Sequence, residues 1–155
     1  MDAELHTSLR DMLRRYRLAA VYVFGSRAQE IAARAAGAST RAGGGPDADA
    51  SAAPTDHPDS DVDIGVQPLR HTRPSAEQRV RLALELEDLF AVARVDLVVL
   101  SEANAPLAAE VVRGELLACA DLDEEAESQL YYLRRAGDLA PFYDEQFREL
   151  LETAP

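Results

Sequence analysis

The 155-residue chain has no lysine, and all sixteen of its basic side chains are arginine. Arginine stays charged and forms no Schiff base, so lysine-dependent chemistry is excluded, including the phosphate-binding lysine of a Walker loop. Cysteine is nearly absent too. Cys119 stands alone in the apolar run ELLACA, which rules out an internal disulfide or a multi-cysteine zinc site and reads as a buried structural thiol. No apolar run approaches the ~18 residues of a membrane span, and the opening MDAELHTSLRDMLRRY is charged throughout, without the apolar centre of a signal peptide. A cytoplasmic location is expected. Positive charge is outnumbered by negative, for a net charge of −12, which argues against direct binding to nucleic acid or to an anionic membrane. A cation, or a partner with a basic face, suits this chain better.

With 47% hydrophobic residues the chain can bury one proper core. Leu5, Leu9, Met12, Leu13 and Tyr16 recur at helical spacing within residues 2–17. LAAVYVF, residues 18–24, then reads as a strand that stops at Gly25-Ser26, and QEIAARAA after it suits a helical turn or two. Residues 37–60 hold no large apolar side chain, so this stretch reads as a mobile surface insertion. A second strand is expected over 61–66, closed by Pro68. A helix with a Ser75-x-x-Gln78 capping pattern follows, burying Leu82, Leu86, Leu89 and Phe90. RVDLVVL, residues 94–100, gives a third strand. Asn104 and Pro106 open a helix that Gly114 ends, and ELLACA forms a fourth strand. From Asp123 the pattern is helical, with a break expected near Gly137 to Pro141. The class is α/β or α+β: a small mixed sheet with helices packed on it over residues 1–120, and a helical tail over 121–155.

Two aspartates enter the second strand. Side chains alternate along a strand, so Asp61 and Asp63 project to one side while Val62, Ile64 and Val66 project to the other. Paired carboxylates repel and resist desolvation, so they call for a cation, and magnesium prefers such oxygen ligands. Asp96 occupies the matching position of the third strand, and a neighbouring register would bring it beside the pair. Three carboxylates can hold two metal ions ~3.5–4 Å apart, an arrangement suited to phosphoryl or nucleotidyl transfer. Asp-x-Asp recurs at Asp47-x-Asp49, Asp59-x-Asp61 and Asp121-x-Asp123, but only Asp61-Val62-Asp63 runs into a strand. The others read as solvated surface or as charge at a helix start.

VYVFGSR completes the pattern. A strand ending in Gly25-Ser26 offers a turn without a Cβ, exposed amides and a hydroxyl for a phosphate, and Arg27 adds a charge within reach of it.

In VYVFGSR, SDVDIGV and VDLVVL, taken in this order over about residues 18–118, the chain resembles the minimal nucleotidyltransferases of the DNA polymerase β superfamily. It is most similar to the MntA-type antitoxins paired with HEPN-domain toxin ribonucleases. The resemblance implies that Gly25 and Ser26 bind the triphosphate of ATP, that Asp61 and Asp63 hold two Mg2+ ions, and that Asp96 completes the metal site and helps to activate the acceptor. It further implies transfer of AMP to a tyrosine of the HEPN toxin within a hetero-oligomer. One departure is that 34 residues separate Ser26 from Asp61, more than the family's usual spacing. A flexible loop costs only ~0.6 kcal/mol per doubling of its length, so the two motifs can still meet. His57, inside the insertion, reads as a solvated loop residue. Two other functions stay open: a non-catalytic antitoxin that masks the toxin, and a small-molecule nucleotidyltransferase, for which the tail leaves little room. Leu130, Tyr131, Leu133, Leu139, Phe142, Tyr143, Phe147, Leu150 and Leu151 of the tail are expected to pack on the sheet or on a partner.

Overall fold

A computed structural model describes residues 3–37 and 60–153. Its elements run α1 (Ala3–Arg15), β1 (Leu18–Phe24), α2 (Ala28–Ala35), β2 (Val62–Pro68), α3 (Ala76–Phe90) and β3 (Val95–Val99). A single 3-10 turn (Leu100–Glu102), α4 (Ala105–Arg113), β4 (Glu115–Cys119) and α5 (Leu122–Thr153) complete it. The four strands form one sheet in the order β3-β2-β1-β4. β1 is antiparallel to both of its neighbours, whereas β2 and β3 are parallel and therefore need the α3 crossover between them.

Helices cover both faces of the sheet. On one face α1, α2 and α3 bury Leu9, Ile31 and Leu86 against Val21, Val23, Val62, Ile64 and Val66. On the other, α4 and the start of α5 bury Val111, Val112 and Tyr132 against Ala20, Tyr22 and Phe24. Two glycines set the spacing of this second layer. A Cβ on Gly65 would collide with Val111, and one on Gly114 would meet the Val23 carbonyl and Phe24, so α4 can lie close on the strands.

Local chemistry fixes most of the boundaries. Glu4 in the first turn of α1 and Arg14 and Arg15 in its last complement the helix dipole. The expected capping box of α3 is present: Gln78 N–H donates to Ser75 Oγ at 3.1 Å and Ser75 N–H donates to Gln78 Oε1 at 2.8 Å. Asn104 Oδ1 accepts from Leu107 N–H at 3.0 Å and starts α4.

Two expectations need correction. Strand β2 begins at Val62 and runs through Pro68, which pairs with Leu18 where the β1–β2 register shifts, so the missing N–H of proline falls at an irregular point of the ladder. The tail is one continuous helix, without a break at Gly137–Pro141. The carbonyl that Pro141 crowds belongs to Gly137, which has no neighbour within 4 Å of its Cβ position and is therefore free to tilt. The tail also packs only at its start. Tyr22 Oη donates to Glu125 Oε1 at 2.5 Å, Gln129 Nε2 donates to the Val112 carbonyl at 2.8 Å, and Tyr132 Oη donates to Gln67 Oε1 at 3.0 Å. Farther along, Phe142, Phe147, Leu150 and Leu151 stay exposed, as do Leu130 and Tyr131 near the start. Cys119 is half-buried among the apolar side chains of the second face, and its thiol is pushed up by burial and by Glu125 and Asp121. The insertion expected at 37–60 lies, apart from Gly37 and Ser60, outside the described residues, and His57, Asp47, Asp49 and Asp59 lie there with it. No helix among the described residues is long and apolar enough to cross a membrane.

Candidate functional site

The ends of three strands converge where β1 leaves the sheet. Register places Phe24 opposite Asp63, and Asp63 in turn opposite Asp96, so the second and third acids are neighbours on the same face. Val62, Ile64 and Val66 are fully buried on the opposite face, which leaves Asp63 no orientation except toward the side of the chemistry. The next residue of β1 after Phe24 is Gly25, at φ +75°, a conformation that L side chains rarely adopt. A Cβ there would strike Asp63 Oδ2. The glycine thus brings the exposed Gly25-Ser26 turn directly against the strand carboxylate. The turn closes through Ala28 N–H donating to the Gly25 carbonyl at 3.3 Å, and α2 begins without a side-chain cap.

The electrostatics follow from this crowding. Burial, then Asp96, then Asp61 push the Asp63 carboxyl above the usual carboxylate range. Asp61 lies just before β2, exposed, with its Oδ2 3.7 Å from Arg94 Nε. As oxygen donors the three acids suit a hard cation in kind. They do not form a closed ligand shell, because among the described residues no three Asp, Glu, His or Cys side chains are grouped closely enough to hold a metal ion.

Arg27, expected to reach a phosphate, is engaged within the protein. Its Nε and Nη2 each donate to Glu30 at 3.0 Å, and Nη1 donates to the Ser60 carbonyl at 2.8 Å. The guanidinium is held within the protein at the point where the turn, α2 and the approach to Asp61 meet.

Beside the turn lies a cleft of about 590 Å³ lined by Phe24, Gly25, Ser26, Glu110, Arg113 and Glu115, among others. Its volume falls within the range of small-molecule sites. Glu110 and Arg113 were not singled out from the sequence, since α4 reads only as a packing helix. Only the close approach that Gly114 permits brings the end of α4 to the turn. Arg94 and Ser60 escaped notice for the same reason, as no motif points to either.

A mixed four-stranded sheet with helices on both faces, a Gly-Ser turn closing β1 and carboxylates on the two adjacent parallel strands constitute a nucleotidyltransferase fold. Residues 50–123 match the model of the family described as "Polymerase beta, Nucleotidyltransferase". Among solved structures, the chain is similar to a mutant of the toxin–antitoxin MntA-HpeT, with 19% identity and a TM-score of 0.64 over 94% of this chain and 98% of that one. It is also similar to a toxin–antitoxin with AMP-PNP, at 19% identity and TM-score 0.61 over 94% and 98%. A third is a tri-AMPylated Shewanella oneidensis HEPN toxin in complex with MNT antitoxin, at 19% identity and TM-score 0.60 over 97% and 99%. No curated protein matches the sequence. The resemblance drawn from the motifs therefore agrees with both the family match and the whole-chain fold, which is that of MntA-type antitoxin structures.

Proposed function

We propose that this protein is an antitoxin that transfers AMP from ATP to a tyrosine hydroxyl of a HEPN-domain toxin ribonuclease and so inactivates it. The observation that carries this reading is the contact of Gly25 with Asp63, which in turn lies opposite Asp96: a phosphate-binding turn and two carboxylates share one spot. The similar structures with AMP-PNP and with an AMPylated HEPN toxin support the choice of nucleotide and target.

In this mechanism the amides and hydroxyl of Gly25-Ser26 bind the phosphates, and the neighbouring cleft accommodates the rest of the nucleotide. Asp61, Asp63 and Asp96 would hold the two Mg2+ ions, whose bound charge offsets the carboxylates and polarises the phosphate oxygens. Asp96, exposed on its strand, accepts the proton of the incoming tyrosine hydroxyl. The tyrosine oxygen forms a bond to the α-phosphorus while the bond from that phosphorus to its bridging oxygen breaks, and pyrophosphate leaves with the electron pair. With a net charge of −12, the chain suits contact with the basic, RNA-binding face of a ribonuclease.

One observation favours a second reading, in which the antitoxin only masks the toxin: Asp61 sits beside Arg94 and the acids do not form a closed shell. ATP labelled at the α-phosphate decides between the two. Label should pass to the HEPN protein with the native chain and Mg2+, and should not pass with the Asp61→Asn/Asp63→Asn double variant. If the proteins bind, ribonuclease activity falls and no label moves, masking takes the place of catalysis.

A further inference from the structure

The sheet fixes Asp63 but not Asp61. Asp63 is paired on both sides, with Phe24 and with Asp96, whereas Asp61 precedes the strand at the end of a long connection, with 34 residues between it and Ser26. The strand holds it only from one side, through Val62, and two further ties are seen among the described residues. One tie is electrostatic, with Arg94 Nε 3.7 Å from Asp61 Oδ2. The other runs through the main chain. Arg27 Nη1 donates to the carbonyl of Ser60, the residue immediately before Asp61, while Nε and Nη2 of the same guanidinium grip both carboxylate oxygens of Glu30 on α2.

We infer that Arg27 is a positioning residue, a strut that fixes the approach to Asp61 relative to the Gly25-Ser26 turn across the insertion, and not a ligand of the phosphates. Planar guanidinium is suited to this, since its fork can hold one carboxylate bidentately and still donate in another direction. The Arg27 side chain is only 11% exposed, and Glu30 is itself braced by Arg34 Nη2 at 2.6 Å, so the strut rests on the body of α2. The Glu30 carboxyl is held below the usual carboxylate range, chiefly by Arg27. As a phosphate ligand, Arg27 would have to act from a guanidinium already committed to Glu30 and to the residue before Asp61. The inference rests on the reading above, that the aspartates take Mg2+ and the turn takes the nucleotide's phosphates.

The test separates the two ligands. Calorimetry measures AMP-PNP affinity in EDTA, then Mg2+ affinity with AMP-PNP present, for the native chain and for Arg27→Met, Arg27→Lys and Glu30→Gln. A strut predicts metal-free AMP-PNP affinity within about twofold of native in all three, and Mg2+ affinity lowered ~10-fold or more in Arg27→Met, as for other residues that orient metal ligands. Glu30→Gln, which leaves the charge of Arg27 in place, should move Mg2+ affinity the same way, and Arg27→Lys, which keeps the charge but loses the fork, should follow Arg27→Met. Loss of metal-free AMP-PNP affinity in Arg27→Met, with Glu30→Gln native-like or tighter, would make Arg27 a phosphate ligand and overturn the inference. So would native Mg2+ affinity in every variant.

Thermal unfolding runs alongside, and should Arg27→Met not fold, Glu30→Gln carries the comparison. If the native chain binds neither AMP-PNP nor Mg2+, the nucleotidyl-transfer reading fails by itself. The strut is then judged by hydrogen exchange at Val62, whose N–H donates to the Arg94 carbonyl at 2.9 Å. Faster exchange in Glu30→Gln supports it, and unchanged exchange overturns it.

Discussion

The two sides of β2 are made of the same seven residues and serve opposite ends. Val62, Ile64 and Val66 point into a face closed by three helices, where no polar or charged residue is buried among the described residues. Asp63, Gly65 and Gln67 alternate with them on the other face, meeting in turn the Gly-Ser turn, Val111 of α4 and the hydroxyl of Tyr132. The first side is apolar throughout, whereas the second combines packing at Gly65 and Gln67 with a carboxylate at its Asp63 end. Crowded carboxylates can persist at one end of a strand because the opposite face anchors that strand independently.

The contrast can be broken from either side. The largest effect is expected from Asp61→Asn/Asp63→Asn, which should lower AMP transfer by ~10²-fold or more while the chain remains folded, as read by labelled ATP and circular dichroism. Ile64→Ala on the closed face should do the reverse, costing about 2–5 kcal/mol of stability in a urea titration, with activity following the folded fraction. Gly65→Ala tests the spacing of α4 on the open face. The added methyl meets Val111 and should cost about 1–3 kcal/mol, and Val111→Ala in the same chain should recover part of the loss.

Smaller shifts sharpen the comparison. Asp63→Asn removes repulsion from Asp96 and Asp61 and should raise Tm by about 2–4 °C without metal. Mg2+ should then raise the Tm of the native chain and leave that of the variant nearly unchanged. The rim of the closed face gives the smallest effect. Arg15 donates to Glu85 at 3.0 and 2.6 Å and Tyr16 Oη donates to it at 2.7 Å, which holds the Glu85 carboxyl below the usual range, with Arg15 the main cause. Because the folded state depresses this group, its contribution is present above the unfolded value of about 4.3 and is lost as pH falls through the lower folded value. Glu85→Gln should therefore cost at most about 1 kcal/mol at neutral pH and nothing near pH 2, measured as urea midpoints at the two values.

Strands and helix caps were legible because their signals are local. The alternation from Val62 to Val66, the Ser75–Gln78 pair and the Asn104 cap each depend on residues a few positions apart, and each is present. The long tail was misread at Gly137 and Pro141 because a proline penalty depends on whether the crowded carbonyl can move aside, and sequence does not display free space. Of its apolar residues, expected on the sheet or on a partner, those of the first turns meet the sheet. Arg27 shows what sequence leaves open. Next to a Gly-Ser turn, an arginine suggests a phosphate contact, and only the structure shows that among the described residues it also bonds Glu30, one turn along α2, and Ser60, across the whole insertion.

By itself the sequence determined that Asp63 and Asp96 enter strands and which face they take, since strand alternation is a property of the backbone, whereas Asp61, read as part of the second strand, lies just before it. It also determined that a glycine ends β1, and hence where a turn with exposed amides forms. Only the tertiary structure decided that β2 and β3 run parallel with Asp63 opposite Asp96, that Gly25 lies against Asp63, and that α4 closes one wall of the cleft. Register and layer spacing come from long-range packing, where one residue of slip would turn Asp96 away from Asp63 and dissolve the site.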